Sequence, residues 1–164
     1  MWQGTVLSIH TAPSGSAPMV SMAEVYAKAR HGLVGDRYFA HTGTWSHIAG
    51  LITQVTLVEW EAVEALKRDH SIELNPGSTR RNIVTRGVPL NHLVGWEFKV
   101  GDVVLRGVRL VEPCAHLARL TDHRVLSGLI HRGGLRAEIL TDGMIRVGDL
   151  VRELDSAGHS RRER

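Results

Sequence analysis

The 164-residue sequence predicts a mainly β fold with a few helices, a closed or nearly closed barrel that carries its helices on the rim. Three observations predict it. Short β-branched segments recur along the chain, Gly and Asp turns punctuate them, and helical character emerges in only a few places. No long linker, low-complexity tract or solenoid-length repeat interrupts the sequence, so residues 1–164 read as one domain.

The elements follow in order. Trp2 to His10 reads as a first strand, and the small residues of Thr11 to Pro18 as a loop. Ser21 to Lys28 mixes β-branched, aromatic and polar residues as a second strand does. Leu51 to Val58 is dense and β-branched, the mark of a buried strand. A helix is predicted from Val58 to Arg68, with Glu59, Glu61 and Glu64 towards its amino end and Lys67 and Arg68 closing it. Glu64 and Arg68 stand four apart, the spacing of a helical ion pair. Asn75-Pro76-Gly77 is a turn signal, with a strand expected over Arg81 to Thr85. Trp96 to Val111 alternates around Gly101-Asp102, as a hairpin or kinked long strand would. Helical character is assigned to Cys114 to Leu120 and Arg124 to Ile130. Ala137 to Leu140 and Met144 to Val147, joined by Thr141-Asp142-Gly143, read as a last hairpin. Val-Gly-Asp occurs at Val100 and again at Val147 with unlike flanks, so it marks two similar turns and no duplication.

Composition narrows the class. With 43% hydrophobic and 23% charged residues the chain has globular composition. One cysteine excludes an internal disulfide framework and any zinc site needing two thiolates within the chain. A free thiol suits a reducing compartment, Met1-Trp2-Gln3-Gly4 has no basic-then-apolar character, and no apolar run approaches the roughly 18 residues of a membrane span. A cytoplasmic location is therefore expected. The basic residues number 20 against 17 acidic, but Arg161-Arg162-Glu163-Arg164 accounts for most of the excess, so the body is close to neutral. Residues 158–164 are expected to form a flexible basic tail. The 17 arginines against 3 lysines suit oxyanion recognition, and equally a codon bias of the genome.

Three clusters carry candidate chemistry. Cys114 sits where a strand is expected to end and a helix to begin, a position that favours thiolate, and His116 adds charge there if it folds back. The alternative is a buried cysteine acting as a small hydrophobe. Asp36 and Arg37 follow the glycines of Gly32-Leu33-Val34-Gly35, so Arg37 either grips an anion, with Asp36 orienting it or capping backbone amides, or forms an ion pair that stiffens a turn. In Gly77-Ser78-Thr79-Arg80-Arg81-Asn82, strand alternation puts Arg80 and Asn82 on one face and Arg81 on the other. That pair presents a donor fork and an amide to a polar ligand, or else the arginines simply face solvent. The histidines lack metal-ligand spacing, and no nucleophile elbow, phosphate loop or dinucleotide fingerprint is present.

The order of these pieces resembles the MOSC domain, named for the carboxy-terminal domain of molybdenum cofactor sulfurases. The matching residues are Gly32 to Arg37, Gln54-Val55, Arg80 to Val84, Leu93 to Asp102, Cys114 after Pro113, and Asp142 to Asp149, within a core of about residues 20–152. The resemblance implies a MOSC-type β-barrel that binds molybdenum cofactor (molybdopterin). Cys114 would be the metal ligand and catalytic centre, or a persulfide carrier of sulfur. Arg80 and Asn82 match the Arg-x-Asn pair that contacts the pterin–phosphate part, and Asp36 and Arg37 match the glycine-flanked pair beside the same cleft. In relatives such as the amidoxime-reducing components the cysteine ligates molybdenum, which implies an oxidoreductase acting on N-hydroxylated small molecules with a separate redox partner. The other implied activity is sulfur transfer to the cofactor, with pyridoxal phosphate on a partner cysteine desulfurase, since Lys28, Lys67 and Lys99 carry no motif for it. The rival class is a non-catalytic binding module on a degenerate MOSC barrel, presenting Arg80, Arg81 and the tail to nucleic acid or a protein. The scattered Trp2, Trp45, Trp60 and Trp96 argue against nucleic acid, and no membrane partner is expected.

Overall fold

The computed structural model describes residues 1–154, so the expected basic tail at 158–164 lies outside the described residues. Seven strands close a barrel: β1 (Gln3–Thr11), β6 (Ile83–Arg86), β5 (Val55–Glu59), β9 (Leu135–Ile139), β8 (Val103–Leu110), β7 (Glu97–Val100) and β11 (Leu150–Glu153), which returns to β1. Among the paired strands of the described residues, β5 and β6 alone run parallel. Strand β2 (Val20–Met22) extends the sheet from the far end of β1, and β3 (Glu24–Lys28) lies between β10 (Gly143–Arg146) and β4 (Gly32–Leu33) in a second, three-stranded sheet. Alternating inward residues fill the barrel, with Phe98, Leu57, Ile83, Leu105, Leu135, Ile139 and Val151 fully buried. Closure removes the free edges an open sheet would expose.

Helix α1 (Trp60–His70) follows β5 without a loop and buries Ala62, Val63, Ala65 and Leu66. It ends on Ser71 at φ 55°, where Ile72 N–H donates to the Leu66 carbonyl (3.3 Å) and Ser71 N–H to that of Lys67 (3.1 Å), a left-handed close that satisfies the last carbonyls. Helices α2 (Ala115–Leu120) and α3 (Val125–Gly128) pack on α1 through Leu117, Val125 and Leu129, forming a small core outside the barrel. Among the described residues no helix is long and apolar enough to cross a membrane.

The hairpin of β7 and β8 around Gly101-Asp102 is as expected. Four local expectations are corrected. The strand read over Ser21 to Lys28 breaks at Ala23, because β2 pairs with β1 while β3 pairs with β10 and β4. The Thr141-Asp142-Gly143 hairpin does not form. Strand β9 is held in the barrel by β5 and β8, and β10 departs to β3, while Asp142 accepts a bond from Ala29 N–H at 2.7 Å. Glu64 pairs with Arg86 (2.8 Å) and Arg68 with its neighbour Asp69 (2.7 Å), so the helical ion pair is replaced by tertiary and sequential partners. Finally, Arg80 to Asn82 are not strand. A 3-10 turn over Pro76–Thr79 ends on Arg80 at φ 59°, and β6 starts only at Ile83, so the alternation that joined Arg80 to Asn82 does not operate.

Strand β11 is the element the sequence conceals. It is four residues long and follows the second Val-Gly-Asp turn, which stacks against the first: Gly101 N–H donates to the Leu150 carbonyl at 2.8 Å.

Candidate functional site

A cavity of about 470 Å³ opens between the barrel, the start of α2 and the long connection from β4 to β5. Five arginines line it, Arg37, Arg80, Arg81, Arg109 and Arg136, together with Cys114, His116 and the rings of Tyr38 and Trp45. Such a concave site with convergent polar groups is where a small polar guest binds.

Gly35 stands at φ 89°, a conformation open to glycine, and turns the chain after β4 so that Asp36 and Arg37 point inward. Asp36 is fully buried. Its carboxylate accepts from Ala12 N–H (3.1 Å), Tyr38 N–H (3.3 Å) and Arg37 Nη1 (3.0 Å). Both sequence readings of this pair meet here, since Asp36 caps amides and also fixes the guanidinium. Arg37 further donates from Nη2 to the Arg80 carbonyl (3.2 Å) and lies 4.8 Å from the centre of the Tyr38 ring.

Arg80 is held in the left-handed region, at a cost of about 1 kcal/mol or more for a residue with a Cβ. The turn's Gly77 carbonyl accepts its N–H (3.1 Å), and its Nη1 donates to the Ala17 carbonyl (2.7 Å). Burial and the nearby Arg37 lower its pKa. Arg81 is the more deeply buried of the two. Its Nε donates to the Gly133 carbonyl (2.8 Å), and burial pushes its pKa down to about 10, with the Cys114 side chain opposing that shift, so it stays cationic at neutral pH. Gly133 has no room for a side chain, because a Cβ would stand 2.2 Å from the Val111 carbonyl oxygen.

Cys114 precedes α2 in extended conformation, half-buried, with its carbonyl accepting Ala118 N–H (3.0 Å). It packs on the α1–α2–α3 core and also lines the cavity. His116 does fold back to the cavity, within 3.5 Å of the hydroxyls of Ser16 and Thr44. It adds no charge, however: burial first, then Arg80, Arg119 and Arg37, lower its pKa and leave it neutral at pH 7.

Asn82 stands apart. Its Oδ1 accepts from Thr56 N–H (3.1 Å) and the Thr56 hydroxyl (3.2 Å), and its Nδ2 donates to the His10 carbonyl (3.1 Å). It is 1% exposed and does not line the cavity, although Thr56 does. The structure thus brings Cys114, Arg37 and Arg80 to one cavity, keeps Asp36 behind Arg37, and ties Asn82 into the barrel wall. Sequence reasoning gave no role to Arg109 and Arg136, which lie on β8 and β9. Their signal was present only as arginines at otherwise apolar strand ends. Among the described residues no group of three or more His, Cys, Asp or Glu converges as a metal cage.

With this geometry in hand, comparison with known proteins places the chain. The model of the MOSC domain matches residues 44–152, and the chain belongs to the MOSC domain family. The matched stretch takes in Arg80, Asn82 and Cys114 and begins after Asp36 and Arg37. Among solved structures the chain is similar to the YuaD protein of Bacillus subtilis, at 16% identity and a TM-score of 0.78, covering 92% of this chain and 97% of that one. It is also similar to YiiM of Geobacillus stearothermophilus, with 13% identity, a TM-score of 0.70 and coverage of 93% and 75%. YiiM of Escherichia coli gives 16% identity, a TM-score of 0.61 and coverage of 94% and 70%. At these identities the likeness is one of fold. No curated protein sequence matches the chain significantly.

Proposed function

We propose that this MOSC protein works in the cytoplasm and holds molybdenum cofactor in the arginine-lined cavity, with Cys114 as the protein ligand to the metal, and reduces N-hydroxylated small molecules there. The observation that supports it best is the meeting of the lone cysteine with five guanidiniums around one cavity. The donor set fits the group. A soft sulfur suits molybdenum among sulfur donors, and guanidinium forks suit a phosphate. The Nε and Nη1 atoms of Arg136 are buried without a hydrogen-bond partner, a demand that a polar guest would meet.

When bound, the cofactor supplies the two-electron redox chemistry that removes oxygen from an N-hydroxyl group. The chain's own residues hold and orient. Arg37 is set by Asp36 and the Arg80 carbonyl, and Arg80 by the Ala17 carbonyl, so their free N–H groups are pre-aimed and lose little freedom on gripping an anion. His116, neutral, offers one ring nitrogen as donor and the other as acceptor to a substrate amine or hydroxyl. Tyr38 and Trp45 keep water from the walls. Electrons come from a separate redox partner.

The test is elemental and pterin analysis of the full chain made in a host that synthesises the cofactor. Molybdenum and pterin at near-equal molar amounts are expected, with Cys114→Ser losing most of the metal. A chain that carries neither, yet takes labelled sulfur from a pyridoxal-phosphate desulfurase onto Cys114, overturns the reductase reading in favour of sulfur carriage.

A further inference from the structure

Strands β8 and β9 pair Arg106 with Glu138 and, one step beyond the bulge between Gly107 and Arg109, pair Arg109 with Arg136. The first pair is complementary, with Arg106 Nη1 3.6 Å from Glu138 Oε2. The second sets the exposed Arg109 across from the buried Arg136, like charges on facing positions, a placement that an anion between them would relieve. The bulge turns this strand end towards the cavity, which both arginines line.

Arg136 is 7% exposed, and its Nε and Nη1 have no hydrogen-bond partner. Its neighbour across the other edge of β9 is Thr56, whose hydroxyl is engaged by Asn82. Among the described residues no carboxylate pairs with Arg109 or Arg136. The other arginines of the cavity have acceptors of their own: Arg37 has the Asp36 carboxylate, Arg80 the Ala17 carbonyl, and Arg81 that of Gly133. A buried guanidinium with its donors unmet costs stability. Its place in the fold is explained by a ligand that answers it.

We propose that Arg136 and Arg109 form an oxyanion subsite that selects substrates bearing a carboxylate or a phosphate, separate from the Arg37–Arg80 side of the cavity. The assignment to substrate rests on the reductase reading above; the subsite itself rests on the two strands.

Calorimetric titration of the cofactor-free full chain with inorganic phosphate, and separately with acetate, tests it. Either anion is expected to bind at millimolar concentration or tighter, and the stronger of the two names the substrate's group. Arg136→Gln should weaken binding about tenfold or more, and Arg109→Gln by a smaller factor. Arg136→Lys, which keeps the charge but not the fork, should fall between wild type and Arg136→Gln and serves if the glutamine variant does not fold. The exposed Arg146→Gln variant should bind as wild type does. Binding unchanged in Arg136→Gln and Arg136→Lys, or no binding of either anion, overturns the subsite. A chain that loads molybdenum but is indifferent to Arg136 sinks this inference alone. One that binds anions through Arg136 but never loads metal sinks only the reductase reading.

Discussion

Replacing Asn82 with alanine separates two roles that the sequence left joined, cofactor contact and barrel architecture. In the structure the side chain satisfies Thr56 N–H, the Thr56 hydroxyl and the His10 carbonyl, stitching β5, β6 and β1 together where β6 begins. Alanine leaves a buried N–H and a buried C=O without partners, each worth about 1–3 kcal/mol. The hydroxyl can rotate and a water can enter the vacated space, so the net loss is expected at about 3 kcal/mol. For a chain of this size that lowers Tm by about 6–12 °C. Urea unfolding followed by far-UV circular dichroism and tryptophan fluorescence would measure it, with an unchanged m-value showing that the native and denatured states are otherwise the same. The reasoning fails if Asn82→Ala keeps its unfolding free energy within about 1 kcal/mol of wild type while losing cofactor. That outcome would put the carboxamide on the ligand and not in the wall.

Two further outcomes follow from the same geometry. Asp36→Ala should cost about 3–5 kcal/mol, because it strands the buried Arg37 guanidinium and two backbone amides; Asp36→Ala/Arg37→Met should recover part of that loss, and a double variant no more stable than the single one would refute the ion-pair account. Burial lowers the pKa of His10 below its ordinary value of 6.5, so the unfolded chain takes up the proton first. Its contribution to stability is therefore complete above about pH 6.5 and is lost as the pH falls below that value. His10→Gln should flatten the decline in urea midpoint between about pH 8 and about pH 5, and an unaltered slope would show that His10 does not titrate with folding.

The arrangement also explains why the cavity's arginines tolerate one another. Arg37 is paired with the buried Asp36 carboxylate and donates to the Arg80 carbonyl, Arg80 donates to the Ala17 carbonyl, and Arg81 is tied to the carbonyl of Gly133 just before β9. The buried Nε and Nη1 of Arg136 have no such relief, and that imbalance is the feature of this site most open to experiment.

Much of the architecture is legible in the residues themselves. The period-two run of Trp96 to Val111 marks strand on both sides of Gly101-Asp102, readable as a hairpin or a kinked long strand, and the fold makes it the hairpin. The helix at Trp60–His70 follows from its charges and its apolar stripe. The family order of the pieces also singles out Cys114, Arg37 and Arg80, which the fold brings to one cavity, and Asp36, which it sets behind Arg37. What local pattern does not contain is partnership. Asp142-Gly143 satisfies the chemistry of a tight turn, yet its two strands go to different sheets because β5, β8 and β3 compete for them. Arg80 and Asn82 share a face only if the backbone between them is extended, and a 3-10 turn closing the preceding loop removes that condition. Which arginine is buried with Cys114, which is neutralised by Asp36 and which is left unanswered on β9 depends on strands distant in sequence closing one barrel. Charge and burial at a site are sums over neighbours in space, and those neighbours exist only after the chain has folded.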